Sequence, residues 1–217
     1  MNFKIKRLKL LNALAKATKA VSIRSPLPVL TGIKFDLQED CLILTGSDSD
    51  ITIQTKIEKD EDLIINQTGG VVLNSRYILD IVRKIDSDEI CIQIIDGALT
   101  RISGSNSKFD LNGTDILDYP RIDLSKTGTK VLLNSLILKD IISQTKFAAS
   151  DKENKPILTG INFKAANHQL ECTATDSYRL AKKIVSLDEN VTFNITIPQK
   201  SLDEISKIIE RDEMIEM

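Results

Sequence analysis

The sequence predicts an α+β fold made of two copies of one unit, each with two helices packed on antiparallel sheets, the second copy incomplete. Three observations predict it. Pro28 to Phe35 reads PVLTGIKF and Pro156 to Phe163 reads PILTGINF, identical at six of eight positions at an offset of 128 residues. At the same offset, TGSDS (Thr45 to Ser49) and TATDS (Thr173 to Ser177) each close a short alternating run. Helical segments are few and the apolar runs are short and turn-linked, which describes hairpin-built sheets and not the regular strand-helix alternation of a parallel α/β protein.

Taken in order, Phe3 and Ile5 alternate with Lys4 and Lys6 as in a half-buried strand over residues 2–6. From Arg7 to Val21, Leu10, Leu14, Ala17 and Val21 recur at helical spacing and form a core face. Lys9, Asn12, Lys16 and Lys19 form a second face, which carries positive charge outward. Lys9, Asn12 and Lys16 also break any continuous apolar run, so this basic segment is not a secretory signal. Strands follow near 29–37, 41–46 and 50–57. A strand near 70–73 then leads into a helix over 75–85, followed by strands near 89–95, 98–103 and 107–112, with Asp96-Gly97 as a hairpin signal.

A third match aligns VLNSRYILDIVRKI (Val72 to Ile85) with TIPQKSLDEISKII (Thr196 to Ile209) at an offset of 124, a net loss of four residues from an intervening loop. It pairs Arg76 with Lys200 and Arg83 with Lys207, two helical turns apart in each copy and so on one face. Subtracting 124 from Met217 reaches Gln93. The last two strands of the first copy, with GTDILDYP (Gly113 to Pro120), therefore have no counterpart, and the chain reads as a fragment or a truncation. The expected domains are 1–124 and 125–217.

With 41% hydrophobic and 28% charged residues, and Lys+Arg 29 against Asp+Glu 31, the chain has apolar mass for packed cores and no disordered composition. No apolar run reaches the roughly 18 residues that span a bilayer. Cys41, Cys91 and Cys172 are too widely spaced for a CxxC site or a disulfide framework, which suits a reducing cytosol. His168 is the only histidine, so neither a histidine metal cluster nor a Ser/His/Asp triad is easily assembled. Asp48 and Asp50 could be read as a cation pair, but the aligned TDSY loses the second carboxylate, and a hydrogen-bonding role at a strand end is expected instead. No cofactor and no metal are expected. Two rival classes remain open on the residues alone: a peripheral membrane or scaffold protein using the basic helix on anionic lipid, and a metal-dependent enzyme using Asp48 and Asp50.

RSPLPVLTGIKF (Arg24 to Phe35), LTGSDSDI (Leu44 to Ile51), LDYP (Leu117 to Pro120), CTATDSYRLA (Cys172 to Ala181) and IPQKSLDEISKI (Ile197 to Ile208) together resemble the bacterial DNA polymerase III beta subunit, the replication sliding clamp. The likeness runs in order along essentially the whole chain. It implies DNA-clamp domains, of which the family has three per protomer and two protomers per ring; the first and most of the second would be present here and the third absent. It implies a cytoplasmic, bacterial, non-catalytic accessory subunit of a DNA-directed DNA polymerase holoenzyme, a processivity factor that encircles and slides on duplex DNA without regard to sequence. The implied partners are DNA, the polymerase catalytic subunit, the clamp loader and other proteins carrying a clamp-binding motif.

The resemblance also assigns residues. Arg24, Arg76 and Lys200, with Arg83, Lys152 and Lys155, would contact phosphates. Leu158, Thr175, Ser177, Tyr178, Arg179 and Leu180 match a pocket for an extended partner peptide; Tyr178 stands where histidine is commoner. Tyr77, Ile81, Ile85, Lys108 and Phe109 would form a protomer interface whose other half belongs to the third domain, so this chain is expected to be monomeric. The alternative within the family is a truncated homologue that docks peptides or acts as a scaffold without ring closure.

Overall fold

The computed structural model describes residues 1–22, 25–125, 128, 130–152 and 154–217. The chain divides into two compact units, Met1–Asp123 and Leu124–Met217.

In the first unit, strand β1 (Asn2–Lys6) runs directly into helix α1 (Arg7–Ala17). Phe3 and Ile5 are buried while Lys4 and Lys6 are exposed, as the alternation predicts. α1 buries Leu10, Ala13, Leu14 and Ala17, then tightens into a 3-10 turn at Thr18–Ala20, so the regular helix ends before Val21. There follow β2 (Gly32–Leu37), β3 (Cys41–Ser47), β4 (Thr52–Glu58), β5 (Leu63–Gln67) and β6 (Gly69–Asn74). Helix α2 (Ser75–Lys84) precedes β7 (Glu89–Asp96), β8 (Leu99–Ser103), β9 (Lys108–Asn112) and the short β10 (Thr114–Asp115).

These strands make two antiparallel sheets, ordered β5-β1-β7-β8-β9 and β10-β6-β2-β3-β4. One core joins Phe3, Ile5, Ile90 and Ile92 of the first sheet, Phe35, Leu44 and Leu73 of the second, and Leu10, Leu14, Ile78 and Val82 of the helices. α1 packs on β3 and β4 and α2 on β2 and β6, which is the predicted arrangement of two helices on antiparallel sheet.

Two departures from the sequence reading matter. The stretch between the strands at 50–57 and 70–73 reads as loop, yet β5 forms there and pairs with β1. Only Leu63 of its five residues is buried, too little periodicity for an edge strand to be read from sequence. The opening of the predicted strand at 29–37 is instead a 3-10 turn, Pro28–Thr31, in which the Thr31 hydroxyl donates to the Pro28 carbonyl at 2.7 Å. The second unit repeats it at Pro156–Thr159, with the same bond at 2.7 Å. The glycine after each turn is a close-approach residue. A Cβ on Gly32 would lie 2.6 Å from Val72 Cγ1, and one on Gly160 2.6 Å from the Ile197 carbonyl oxygen.

The second unit contains β11 (Leu132–Asn134), α3 (Ser135–Thr145), β12 (Gly160–Ala166), β13 (Gln169–Thr175), β14 (Leu180–Ser186), β15 (Phe193–Pro198), α4 (Gln199–Ile208) and β16 (Met214–Glu216). Its sheet order β14-β13-β12-β15 reproduces β4-β3-β2-β6, and β11-β16 reproduces β1-β7. Strands β12, β13 and β14 start 128 residues after β2, β3 and β4, whereas β15 and α4 start 124 after β6 and α2. The four lost residues fall where the first unit forms β5. Among the described residues no strand of the second unit pairs with β11 in the place that β5 takes beside β1.

Phe163, Leu170, Cys172, Leu138, Ile141, Ile142 and Leu202 form this unit's own core. Its helices are tied by the Lys146 ammonium on Asp203 at 2.6 Å and by Lys139 Nζ donating to the Ile209 carbonyl at 2.8 Å.

Candidate functional site

Three groups of predicted site residues can be followed from their elements outward. The first is cationic. On α2, Ile78 and Val82 are buried while Arg76 and Arg83 are exposed, so the helical period places both arginines away from the core. Arg83 is partly neutralised by Asp80 at 3.8 Å. On α4, Leu202 is buried and Lys200 is exposed, and Lys207 pairs with Glu204 at 2.6 Å. Lys152 and Lys155 are exposed on the connection between α3 and β12. Arg24 lies outside the described residues. On α1 the outward charge is smaller than the sequence implies, because Lys9 is held by Asp60 of the β4–β5 connection.

The second group is the turn between β13 and β14. Asp176 organises it: Oδ1 accepts from the Tyr178 amide at 2.9 Å and the Arg179 amide at 3.0 Å, and Oδ2 accepts from Arg179 Nε at 3.0 Å. The Tyr178 and Arg179 amides, with the guanidinium charge behind them, hold this carboxyl below the usual aspartate range. The Thr175 hydroxyl closes the turn, donating to the Arg179 carbonyl at 2.7 Å and accepting from the Ser177 amide at 3.1 Å. Ser177 takes φ +80°, in the left-handed region.

This geometry turns large side chains to solvent: Tyr178 is 97% exposed and Leu180 65%. Thr175 pairs with Leu180, and Asn162 of β12 with Thr173, so Leu158, two residues before β12, sits at the same sheet end. Its backbone is anchored on both sides, with its amide donating to the Lys155 carbonyl and its carbonyl accepting from the Ser150 amide. All six predicted pocket residues thus gather at one end of one sheet.

Sequence reasoning missed Asp176, and also Ile157, which is 71% exposed. The repeat itself concealed Ile157, since its counterpart Val29 packs against the buried trio Leu30, Val72 and Tyr119.

The first unit holds a twin of this turn with none of the display. Asp48 Oδ1 accepts from the Asp50 amide at 3.0 Å and the Ile51 amide at 2.8 Å, and Ser49 has φ +84°. That is the expected strand-end role; the Asp48 oxygen is used by backbone amides. Among the described residues no three His, Cys, Asp or Glu side chains come together as a metal site. A shallow concavity of about 470 Å³ in the first unit, bordered by Lys4, Ser87, Glu89, Cys91 and Ser105, contains none of the predicted site residues.

The third group divides. Tyr77 and Phe109 are exposed large apolar residues, Lys108 is exposed, and β9, which carries Lys108 and Phe109, is a sheet edge. Ile81 is half-buried against the core. Ile85 corrects the expectation: it is only 4% exposed and belongs to its own unit's core, because it follows the last turn of α2 on the side of Ile78 and Val82.

Two units of one α+β plan, with cationic helix residues at matched positions and, in the second, a turn that displays apolar side chains, make up a protein built from repeated modules. Residues 1–123 match the family described as DNA polymerase III beta subunit, N-terminal domain, and residues 132–217 match its central domain. The chain belongs to the DNA polymerase III beta subunit family.

Among curated relatives, the beta sliding clamp of Staphylococcus epidermidis is 41% identical over 223 residues, covering 100% of this chain and 59% of that protein. The beta sliding clamp of Bacillus subtilis is 40% identical, covering 97% of this chain and 57% of that protein. The crystal structure of the Bacillus subtilis DNA polymerase sliding clamp superposes with a TM-score of 0.97 at 38% identity, covering 100% of this chain and 59% of that one. The DNA polymerase III beta chain from Streptococcus pneumoniae gives 0.95 at 32% identity, covering 99% and 59%. The chain spans a little under three fifths of the length of these relatives.

Proposed function

We propose that this chain forms the first two modules of a replication processivity clamp, a ring-shaped homodimer in its complete form that encircles duplex DNA, slides on it and tethers the bacterial replicative polymerase. The observation that carries the reading is the duplication itself: Arg76 and Lys200 occupy matched positions on equivalent helices of two equivalent units, inside a family whose relatives are named beta sliding clamps. A sliding protein needs contacts that repeat along the duplex regardless of sequence. Long cationic side chains meeting phosphates supply them, weakly and with strong dependence on salt.

In this reading Arg24, Arg76, Arg83, Lys152, Lys155 and Lys200 face phosphate. Leu158, Thr175, Ser177, Tyr178, Arg179 and Leu180 take an extended peptide from the polymerase, the clamp loader or another partner. Tyr77, Ile81, Lys108 and Phe109, with β9 as an open edge, supply one side of the protomer contact. The role is non-catalytic and cytoplasmic. Tethering turns polymerase rebinding into an intramolecular event, so modest peptide affinity becomes long residence.

The test uses the complete reading frame loaded onto nicked circular DNA. The protein should stay on the circle and run off after linearisation, which is the mark of topological linkage. Retention on linear DNA with open ends would overturn the ring. Replacing Arg76 or Lys200 with Ala should lower the salt dependence of DNA affinity by about one counterion each, uniformly across sequences.

A further inference from the structure

The two twin turns differ in one respect. Asp48 and Asp176 each cap two amides, but only Asp176 has a second oxygen bonded to a cationic side chain, that of Arg179. Arg179 is also held at its backbone carbonyl by the Thr175 hydroxyl. Where the first copy has Asp50, Ile51 and Thr52, the second has Tyr178, Arg179 and Leu180. Bonding through Nε uses one guanidinium donor and leaves the terminal nitrogens for an incoming carbonyl or carboxylate. An exposed arginine otherwise samples many rotamers, and ordering it on binding weakens affinity.

We infer that Asp176 is a positioning residue of the peptide-docking turn, holding the Arg179 guanidinium ready to receive a backbone carbonyl or an acidic side chain of an extended peptide beside Tyr178 and Leu180. The inference rests on the docking reading proposed for this turn. Asp176 touches no peptide itself and acts through Arg179.

Asp176→Asn isolates the effect. The amide keeps a carbonyl oxygen to cap the Tyr178 and Arg179 amides, but it sets an NH2 group against Arg179 Nε and removes the charge. Asp48→Asn is the control, since its turn carries no arginine. The probe is a fluorescein-labelled hexapeptide with leucine and phenylalanine alternating with polar residues, followed by fluorescence anisotropy. Proton NMR of the Arg179 Nε–H and urea midpoints complete the set.

The expected result is a slowly exchanging Arg179 Nε–H that becomes fast in Asp176→Asn, an affinity weaker by about 3- to 10-fold, and an unchanged urea midpoint. Asp48→Asn should match the parent chain in all three. Equal affinity and equal Nε–H exchange in the parent and Asp176→Asn would overturn the inference while leaving docking intact. A parent chain that binds no peptide while its Arg179 Nε–H is protected would overturn the docking reading, and with it the role given to Asp176.

Discussion

Tyr119 shows how one side chain senses the fold around it. Its ring is buried against Leu30 and Val72, and its hydroxyl donates to the Thr45 carbonyl at 3.5 Å. Burial pushes the phenol up to about 12 from its ordinary 10.0. A raised folded value means the stabilisation is complete below the unfolded value and is lost as pH rises towards the folded one. Tyr119→Phe should therefore flatten the fall in urea midpoint between about pH 10 and about pH 12, at a neutral-pH cost of about 0.5 kcal/mol for a long hydrogen bond. Cys172 is likewise pushed up to about 12 by burial, and Cys41 is raised for the same reason. With Cys91 only half-buried, a thiol reagent should label Cys91 first and reach the other two only on unfolding, which mass spectrometry of native and denatured protein resolves. At this scale the strand-end role of Asp48 in TGSDS was readable, since its partners are local, whereas the matching role of Asp176 in TATDS was missed. The sequence was silent on Ile157, whose exposure depends on what covers it.

Elements repeat more faithfully than the residues between them. α2 and α4 were legible because Ile78 and Val82, and Leu202 in the second copy, keep a helical period against the core. β5 was not, since one buried residue in five leaves no alternation. The packing of α1 on β3 adds a constraint that the repeat alone disguises. The second copy has Ala174 where the first has Gly46, which suggests a tolerated exchange, yet a Cβ on Gly46 would lie 2.2 Å from the Ala17 carbonyl oxygen at the end of α1. Gly46→Ala should cost about 1–3 kcal/mol through a forced shift of helix against strand. Urea unfolding followed by circular dichroism measures this, and an unchanged midpoint would show that α1 yields freely.

Each of the two units has a core of its own in the whole molecule. Phe163→Ala in the second should cost about 3–5 kcal/mol, and hydrogen exchange should show the loss of protection across β12, β13 and β14 before β2, β3 and β4. Equal loss in both units would mean that they unfold together.

The sequence by itself determined the duplication, the α+β class, the two basic helix positions and the turn that repeats at Asp48 and Asp176. The duplication rests on self-similarity at fixed offsets, and the others on local periodicity or on hydrogen bonds spanning four residues or fewer. Only the tertiary structure decided which repeated side chains are covered. Leu30 is buried by Tyr119, whose bond to Thr45 joins residues 74 apart in the chain, while Leu158 stays half-buried beside an exposed Ile157. Tertiary structure also decided that Ile85 belongs to the core and that the shortened connection of the second copy forgoes a strand. The physical reason is that burial is set by distant segments meeting in space. A repeat in sequence fixes the shape of each unit's surface without fixing what comes to rest on it.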